Sequence, residues 1–183
     1  MWQRGRRAVS PATAQRIAAV AHRHGVQAVG VFVDEDAVSI ATACTDAGLD
    51  MAQLHGNGAR AAYLALPPEL PVVYVLHADA GGALQTPLPP IKGPRQPEWL
   101  LVDGLTGGSG QALDWARLHV PSGLARRGWL LAGGLAPANV AVALRAARPA
   151  GVDVASGVAG PDGLRKDPAL MAAFVKAVRA ADG

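Results

Sequence analysis

The sequence lacks most of the features that mark secreted and membrane proteins. It has one cysteine, Cys44, in 183 residues, so no disulfide can form within the chain, which fits a reducing compartment. No apolar run approaches the roughly 18 residues that a membrane span needs. No apolar segment follows the basic N-terminus, as one would in a signal peptide. We therefore expect a cytoplasmic protein that has no membrane partner.

Charged and aromatic residues are also scarce, at 17% and 4% of the chain. The net charge is +3, but no basic stripe carries interleaved aromatic side chains, so nucleic-acid binding is not predicted. The histidines do not have the spacing of metal ligands. Half of the residues are hydrophobic, which argues against disorder, and the length suffices for one domain with a core.

Apolar runs that predict strands alternate with segments of helical spacing. The predicted strands are residues 28–33, 49–55, 72–76, 100–103, 130–133 and 152–155. The predicted helices run from Ser10-Pro11 to Gly25 and over 38–47, 59–66, 137–147 and 168–180, with a short one at 113–118 and a long loop at 78–97. This order predicts a parallel sheet covered by helices, with the strands buried. An open doubly wound sheet and a (β/α)8 barrel both fit, but no G-x-G-x-x-G motif follows the first strand.

The fourth predicted strand ends in a carboxylate, Asp103, directly before a glycine-rich turn with Gly107, Gly108 and Gly110. A strand that ends in an acid and opens into a flexible loop is typical of a barrel that presents the acid to a small substrate. The alternative is an aspartate that caps the amides of the glycine loop. The residues alone favour neither interpretation.

Two further turns are rich in glycine. Gly133-Gly134 follows the fifth strand and precedes a helix, and Ser156-Gly157 follows the sixth strand. Backbone N–H groups at such turns bind phosphate, and glycine lets the backbone approach it closely. The alternative is ordinary turn chemistry. Because the two turns follow successive strands, we favour a phosphate site.

Three other residues have the chemistry of site residues. Gln53 and His55 alternate along the second strand, so both side chains should point to the same side of the sheet. Cys44 lies in the middle of a predicted helix, so we expect a buried structural cysteine and not a catalytic one.

Five motifs together resemble the phosphoribosylanthranilate isomerase family. Their order and spacing match along nearly the whole chain: Val29-Gly-Val-Phe-Val33, Leu49-Asp-Met-Ala-Gln-Leu-His-Gly56, Leu101-Val-Asp103 with Gly-Gly-Ser-Gly110 and Asp114-Trp115, Ala132-Gly-Gly-Leu-Ala-Pro-Ala-Asn-Val140, and Gly151-Val-Asp-Val-Ala-Ser-Gly-Val158. The resemblance implies an α/β fold of the TIM (β/α)8-barrel type and one barrel domain over residues 1–183.

The resemblance also implies an N-terminally truncated barrel. The family's Arg-x-Val/Ile-Ser-Pro pattern, which follows its second barrel strand, is found here at Arg7–Pro11. The first strand, first helix and second strand would then be missing, which agrees with the count of six predicted strands. The family's Lys-x-Cys-Gly motif, whose cysteine is the general base, does not occur in this sequence. We expect either a natural protein that starts upstream or a degenerate relative.

The implied activity is the Amadori rearrangement of N-(5-phosphoribosyl)anthranilate in tryptophan biosynthesis, with no metal and no cofactor. Asp103 matches the family's general acid. Arg7 matches the arginine that binds the anthranilate carboxylate, the alternative being a solvated basic tail. Gln53 and His55 match positions that line the substrate pocket, and Asp153 matches one near the ribose. The phosphate would lie on Gly133, Gly134, Ser156 and Gly157.

The sequence departs from the family at Ala155 and Ala159, where the family often has Ser and Glu, so weaker phosphate or loop contacts are expected. Two rival functions stay open. One is a non-catalytic phosphate-binding or interaction protein derived from the same barrel. The other is a barrel enzyme that acts on a different phosphosugar. A full-length protein would be a monomer or a homodimer that binds a small phosphosugar and no nucleic acid.

Overall fold

The computed structural model describes residues 7–90, 95–104 and 113–181. The predicted turn with Gly107, Gly108 and Gly110 lies outside these ranges. The described residues form five α-helices: α1 (Pro11–Arg23), α2 (Ala37–Ala47), α3 (Asn57–Ala61), α4 (Val140–Ala147) and α5 (Pro168–Arg179). They also form six strands: β1 (Val29–Phe32), β2 (Met51–Leu54), β3 (Val72–Ala78), β4 (Trp99–Gly104), β5 (Trp129–Leu131) and β6 (Gly151–Val152).

The six strands form a sheet in the order β1-β2-β3-β4-β5-β6. The pairs β1–β2, β2–β3, β4–β5 and β5–β6 are parallel. This confirms the predicted α/β class and the six strands. The chain divides into two compact units, unit 1 (Met1–Val75 and Pro89–Trp99) and unit 2 (Leu76–Leu88 and Leu100–Gly183). The single barrel domain over residues 1–183 stays a prediction.

In unit 1, the two long helices start where the sequence predicts. The Ser10 hydroxyl accepts a hydrogen bond from the Thr13 amide at 3.2 Å, and Pro11 occupies the first turn of α1. The Asp36 carboxylate accepts from the Ser39 amide at 2.8 Å and caps α2, which ends at Gly48 in the left-handed region. These caps satisfy amides that a helix start otherwise leaves without a partner.

Strand β1 corrects the expectation of a strand buried on both faces. Phe32 is fully buried, but Val29 and Val31 are 41% and 44% exposed. Val31 lies in register with Gln53 of β2, so the exposed valines and Gln53 share one face of the sheet. The prediction failed because an apolar run indicates a buried strand but does not show whether one face or both faces of the strand are covered.

In unit 2, two predicted helices need correction. Residues 113–118 contain a turn and no helix, in which the Arg117 amide donates to the Asp114 carbonyl at 3.2 Å. This turn is held by the Asp114 amide, which donates to the Ala80 carbonyl at 3.0 Å. Helix α4 begins at Val140, three residues after Pro137, because the side chain of Asn139 bonds back to the preceding turn.

The remaining elements lie near their predicted places, but β6 (Gly151–Val152) overlaps the strand predicted at 152–155 at one residue only, and residues 153–155 form no strand. Residues 57–66 form α3 and a 3-10 turn at Tyr63–Ala65, and α5 buries Phe174. The predicted loop at 78–97 contains an antiparallel bridge between Ala78 and Leu84. None of the helices in the described ranges has the length and hydropathy needed to cross a membrane.

Candidate active site

In unit 1, the two polar residues of β2 come together as the alternation predicted. The Gln53 Oε1 and His55 Nδ1 atoms are 3.3 Å apart, and both residues are half-buried. They project from the face of the sheet on which Val31 is exposed. Two groups that donate and accept hydrogen bonds therefore lie on an accessible face at the carboxyl end of a parallel strand.

The position of His55 is fixed by its neighbours in the chain. The Arg60 guanidinium, on α3, donates to the His55 carbonyl at 2.6 Å and to the Val75 carbonyl at 3.4 Å. Gly56 packs so closely on Val33 that a Cβ at this position would overlap the Val33 carbonyl group. Burial lowers the pKa of the Arg60 guanidinium. The end of β2 is thus a rigid support for the imidazole.

Arg7 lies exposed ahead of α1. This exposed position does not distinguish the predicted contact with the anthranilate carboxylate from the alternative of a solvated basic tail. The role of Arg7 stays a prediction.

In unit 2, the two predicted carboxylates share one face of the sheet. Val102 pairs with Leu131 and Leu131 pairs with Val152, so the next residues along, Asp103 and Asp153, flank β5 in register. The Asp153 amide continues this ladder by donating to the Leu131 carbonyl at 2.8 Å. Asp103 is half-buried and Asp153 is exposed. Two strand spacings separate them, about 10 Å along the sheet.

Asp103 lies against the first of the predicted phosphate turns. A Cβ on Gly133 would be 2.9 Å from the Asp103 Oδ1 atom and 2.7 Å from the Gly104 amide nitrogen. Gly133 and Gly134 have φ values of +84° and +67°, which glycine adopts without strain. The structure thus brings the predicted acid and the predicted phosphate turn together.

The second predicted phosphate turn packs on the first. Ser156 and Gly157 belong to a 3-10 turn, and Gly157 touches the backbone of Leu135 and Ala136. All four residues predicted to bind phosphate therefore lie in two turns that are in contact through backbone atoms.

Two residues near these turns were missed from the sequence. The Asn139 side chain accepts from the Ala136 amide at 2.8 Å and donates to the Gly134 carbonyl at 3.0 Å, so it clamps the turn. The Lys166 ammonium donates to the Ala155 carbonyl at 2.5 Å, beside Ser156. An asparagine directly before a helix start marks Asn139 in the sequence, but that pattern predicts a cap on α4, and the Asn139 side chain caps no amide of α4. Lys166 is separated from Ala155 by a loop, and nothing in the sequence indicates their contact.

The two positions that depart from the family pattern both meet Lys166. Ala155 offers its carbonyl to the Lys166 ammonium, and Ala159 forms an antiparallel bridge with Lys166. These are backbone contacts that alanine makes as well as serine or glutamate. The expected weakening of phosphate or loop contacts stays a prediction.

Cys44 lies on α2 and is 3% exposed, as expected for a structural cysteine. Burial raises the pKa of its thiol to about 11. A thiol in this state does not accept a proton from a substrate near neutral pH. Within the described ranges, no three histidine, cysteine or acidic side chains come together as a metal site would require.

A model of the family described as N-(5'-phosphoribosyl)anthranilate (PRA) isomerase matches residues 2–177. The chain belongs to this family. It is 42% identical over 179 residues to N-(5'-phosphoribosyl)anthranilate isomerase 1, chloroplastic, of Arabidopsis thaliana, an alignment that covers 98% of this chain and 65% of the relative. The chain thus spans less than two thirds of the length of that PRA isomerase.

Solved structures of PRA isomerases share the fold. The enzyme from Thermotoga maritima is 27% identical with a TM-score of 0.75, and the match covers 97% of this chain and 84% of that one. A PRA isomerase in complex with reduced 1-(o-carboxyphenylamino)-1-deoxyribulose 5-phosphate is 25% identical with a TM-score of 0.69, covering 97% of this chain and 83% of that one. The architecture is therefore of the TIM-barrel type, as the family resemblance implied.

Proposed function

We propose that this chain catalyses the Amadori rearrangement of N-(5'-phosphoribosyl)anthranilate to 1-(2-carboxyphenylamino)-1-deoxyribulose 5-phosphate, in tryptophan biosynthesis. The observation that carries the proposal is the approach of the Asp103 carboxylate to the Gly133–Gly134 turn in unit 2. Family membership supplies the reaction, and this approach supplies an acid beside a turn suited to a phosphate. The substrate is a small phosphosugar, and the proposed compartment is the cytoplasm.

In the proposed reaction, Asp103 is the general acid. It donates a proton to the furanose ring oxygen, the bond from C1 to that oxygen breaks, and the anthranilate nitrogen forms a C=N bond to C1. Loss of the C2 proton to water then gives an enolamine. C1 of the enolamine takes up a proton and the C2 hydroxyl gives one up, which forms the C2 ketone, and Asp103 regains the proton that it donated. Atoms and electrons balance within the substrate, so neither an oxidant nor a reductant is consumed.

The other proposed roles are binding roles. The exposed Arg7 pairs with the anthranilate carboxylate, since a planar guanidinium suits a carboxylate. Gln53 and His55 bind the substrate through the polar groups that they present on the open face of β2, and Asp153 binds the ribose hydroxyls. The amides of the two turns, at Gly133, Gly134, Ser156 and Gly157, hold the phosphate.

No general base is proposed among the residues of this chain. The sequence has no Lys-x-Cys-Gly motif, and Cys44 is buried with a raised pKa. A second candidate, a non-catalytic phosphate-binding protein of the same barrel, therefore stays open. The two candidates share the phosphate turns and differ in whether proton transfer occurs.

The test follows turnover of N-(5'-phosphoribosyl)anthranilate by the fluorescence of its anthranilate group. We expect turnover by the wild type and a loss of about 10²–10⁴-fold in kcat for Asp103→Asn. Asp46→Asn, an exposed aspartate on α2, is the control and should keep the wild-type rate. Turnover that survives Asp103→Asn would refute the role of Asp103.

Binding separates the two candidate functions. The probe is the reduced form of the product, reduced 1-(o-carboxyphenylamino)-1-deoxyribulose 5-phosphate, and its binding is measured by calorimetry. Binding without turnover would favour the non-catalytic candidate. Binding of other sugar phosphates but not of this analogue would favour an enzyme for a different phosphosugar. We propose a monomer or a homodimer, which light scattering of the same sample decides.

A further inference from the structure

We propose that Gly133 is a positioning residue for Asp103. A side chain at position 133 would lie directly next to the Asp103 carboxylate. Because glycine has no side chain, the carboxylate keeps the position from which it donates its proton. This inference rests on the proposed function, and it assigns Gly133 a role that differs from binding phosphate through its amide.

The steric evidence is direct. A Cβ on Gly133 would lie 2.9 Å from the Asp103 Oδ1 atom, closer than a methyl carbon approaches an oxygen. The same Cβ would lie 2.7 Å from the amide nitrogen of Gly104, the last residue of β4. An alanine at this position must therefore displace either itself, the end of β4 or the carboxylate.

The turn on both sides of Gly133 is tethered, so the strain of an added methyl group falls on the end of β4. On one side, the Ala132 amide donates to the Val102 carbonyl at 2.7 Å and so joins the turn to β4. On the other, Asn139 donates to the Gly134 carbonyl at 3.0 Å. These tethers would have to break for the turn to retreat. One close contact is with the backbone of Gly104, which follows Asp103 directly, and the other is with the Asp103 carboxylate, so relieving either one moves the acid.

Gly134 provides a comparison within the same turn. Its φ of +67° is also in the left-handed region, so alanine is strained at either position. Among the residues that the structure describes, however, no heavy atom beyond its own chain neighbours lies within 4 Å of where a Cβ on Gly134 would be. An alanine would thus be strained in its backbone at either position, but only an alanine at position 133 would also clash with Asp103.

The first experiment compares steady-state kinetics of Gly133→Ala and Gly134→Ala. For Gly133→Ala we expect kcat to fall by about 10–100-fold, because displacing a catalytic group by about 1 Å costs on that order. Both variants should raise KM, since the amides of both glycines are proposed to hold the phosphate, but the kcat of Gly134→Ala should fall much less. Gly48→Ala, at φ +64° with open space around it, measures strain alone and should change neither constant. Equal losses of kcat in the two turn variants would overturn the inference.

A double-mutant cycle tests whether Gly133 acts through Asp103. In the Asp103→Asn background, Gly133→Ala should cause no further loss of kcat, since the acid is already gone. A further loss as large as in the wild-type background would mean that Gly133 acts through the turn alone and would overturn the inference.

A measurement on the wild type keeps the inference testable if Gly133→Ala does not fold. We expect the Gly133 Hα resonances to shift between the wild type and Asp103→Asn, while those of Gly134 do not. Gly133 resonances that are unchanged in Asp103→Asn would refute the contact. Because this readout needs no turnover, a wild type that fails to isomerise the substrate would reject the proposed function while the NMR comparison still decides on the contact.

Discussion

Gly157 lies directly against the carbonyl group of Leu135, so closely that a methyl group on Gly157 would overlap the carbonyl oxygen. Leu135 follows the Gly133–Gly134 turn, and Gly157 follows Ser156 in the next turn. The contact therefore joins the two turns that we propose to hold the phosphate. A glycine at position 157 permits it, since any other residue brings a Cβ into the gap.

Gly157→Ala should destabilise the protein. The methyl group meets backbone, which cannot turn aside as a flexible side chain does, so we expect the free energy of unfolding to fall by about 1–3 kcal/mol. Urea denaturation measures this. Gly160→Ala, three residues away, is the matched control: the nearest atom to its Cβ would be the Arg165 carbonyl oxygen at 3.7 Å, an ordinary contact. Equal stabilities for the two variants would show that the two turns are not in contact in solution.

Asn139→Ala should loosen the first turn. It removes the hydrogen bonds to the Ala136 amide and the Gly134 carbonyl, which together contribute about 1–3 kcal/mol. We expect a loss of stability and a higher KM for the phosphosugar. Asn139→Asp keeps the acceptor for the Ala136 amide but loses the donor to the Gly134 carbonyl. Its free energy of unfolding should therefore lie between those of the wild type and Asn139→Ala. An unchanged KM in Asn139→Ala would mean that the hydrogen bonds of Asn139 stabilise the turn but are not needed for substrate binding.

The sequence predicted the strands of the sheet and the common side of Gln53 and His55 because both follow from an alternation that each strand carries by itself. It also located Asp103 and the two glycine turns, since strand ends are marked by a switch from apolar residues to glycine and carboxylate. These are local properties of the sequence, and contacts with distant residues do not alter them.

The contacts that build the site could not be predicted in the same way. The packing of Gly157 on Leu135, and of Gly133 on Asp103, joins residues far apart in the chain, and nothing in a glycine says which atom approaches it. The helix predicted at 113–118 failed for a related reason, because its apolar spacing was outweighed by the hydrogen bond from Asp114 to Ala80.

Asp50 should make stability depend on acid pH. Its carboxylate accepts a hydrogen bond from the Ala28 amide at 2.6 Å and lies 2.9 Å from the His22 ring nitrogen. These hydrogen bonds, the one from Ala28 first, hold the pKa of Asp50 below its usual value. A lowered folded-state pKa stabilises the protein above the unfolded-state pKa, and the effect is lost as pH falls through the folded-state pKa. The stability that wild type has over Asp50→Asn should thus be constant near neutral pH and shrink below about pH 4.

Urea denaturation at neutral pH and at several values below pH 4 checks this. Asp46→Asn on α2 serves as the control, since it removes an exposed aspartate of similar charge. A difference between wild type and Asp50→Asn that persists unchanged at the lowest pH would mean that the ionised carboxylate is not the source of the stabilisation.

Cys44 should be inert in the folded protein. Since its thiol is buried with a pKa raised to about 11, we expect no reaction with a disulfide reagent at pH 8 until the chain is unfolded in guanidinium. Thr45→Cys in a Cys44→Ala background places an exposed thiol one residue along α2 and should react at once. Cys44→Ala alone should cost about 1 kcal/mol of stability and leave kcat unchanged. A fall of kcat beyond what the lost stability explains would instead make Cys44 a participant in proton transfer.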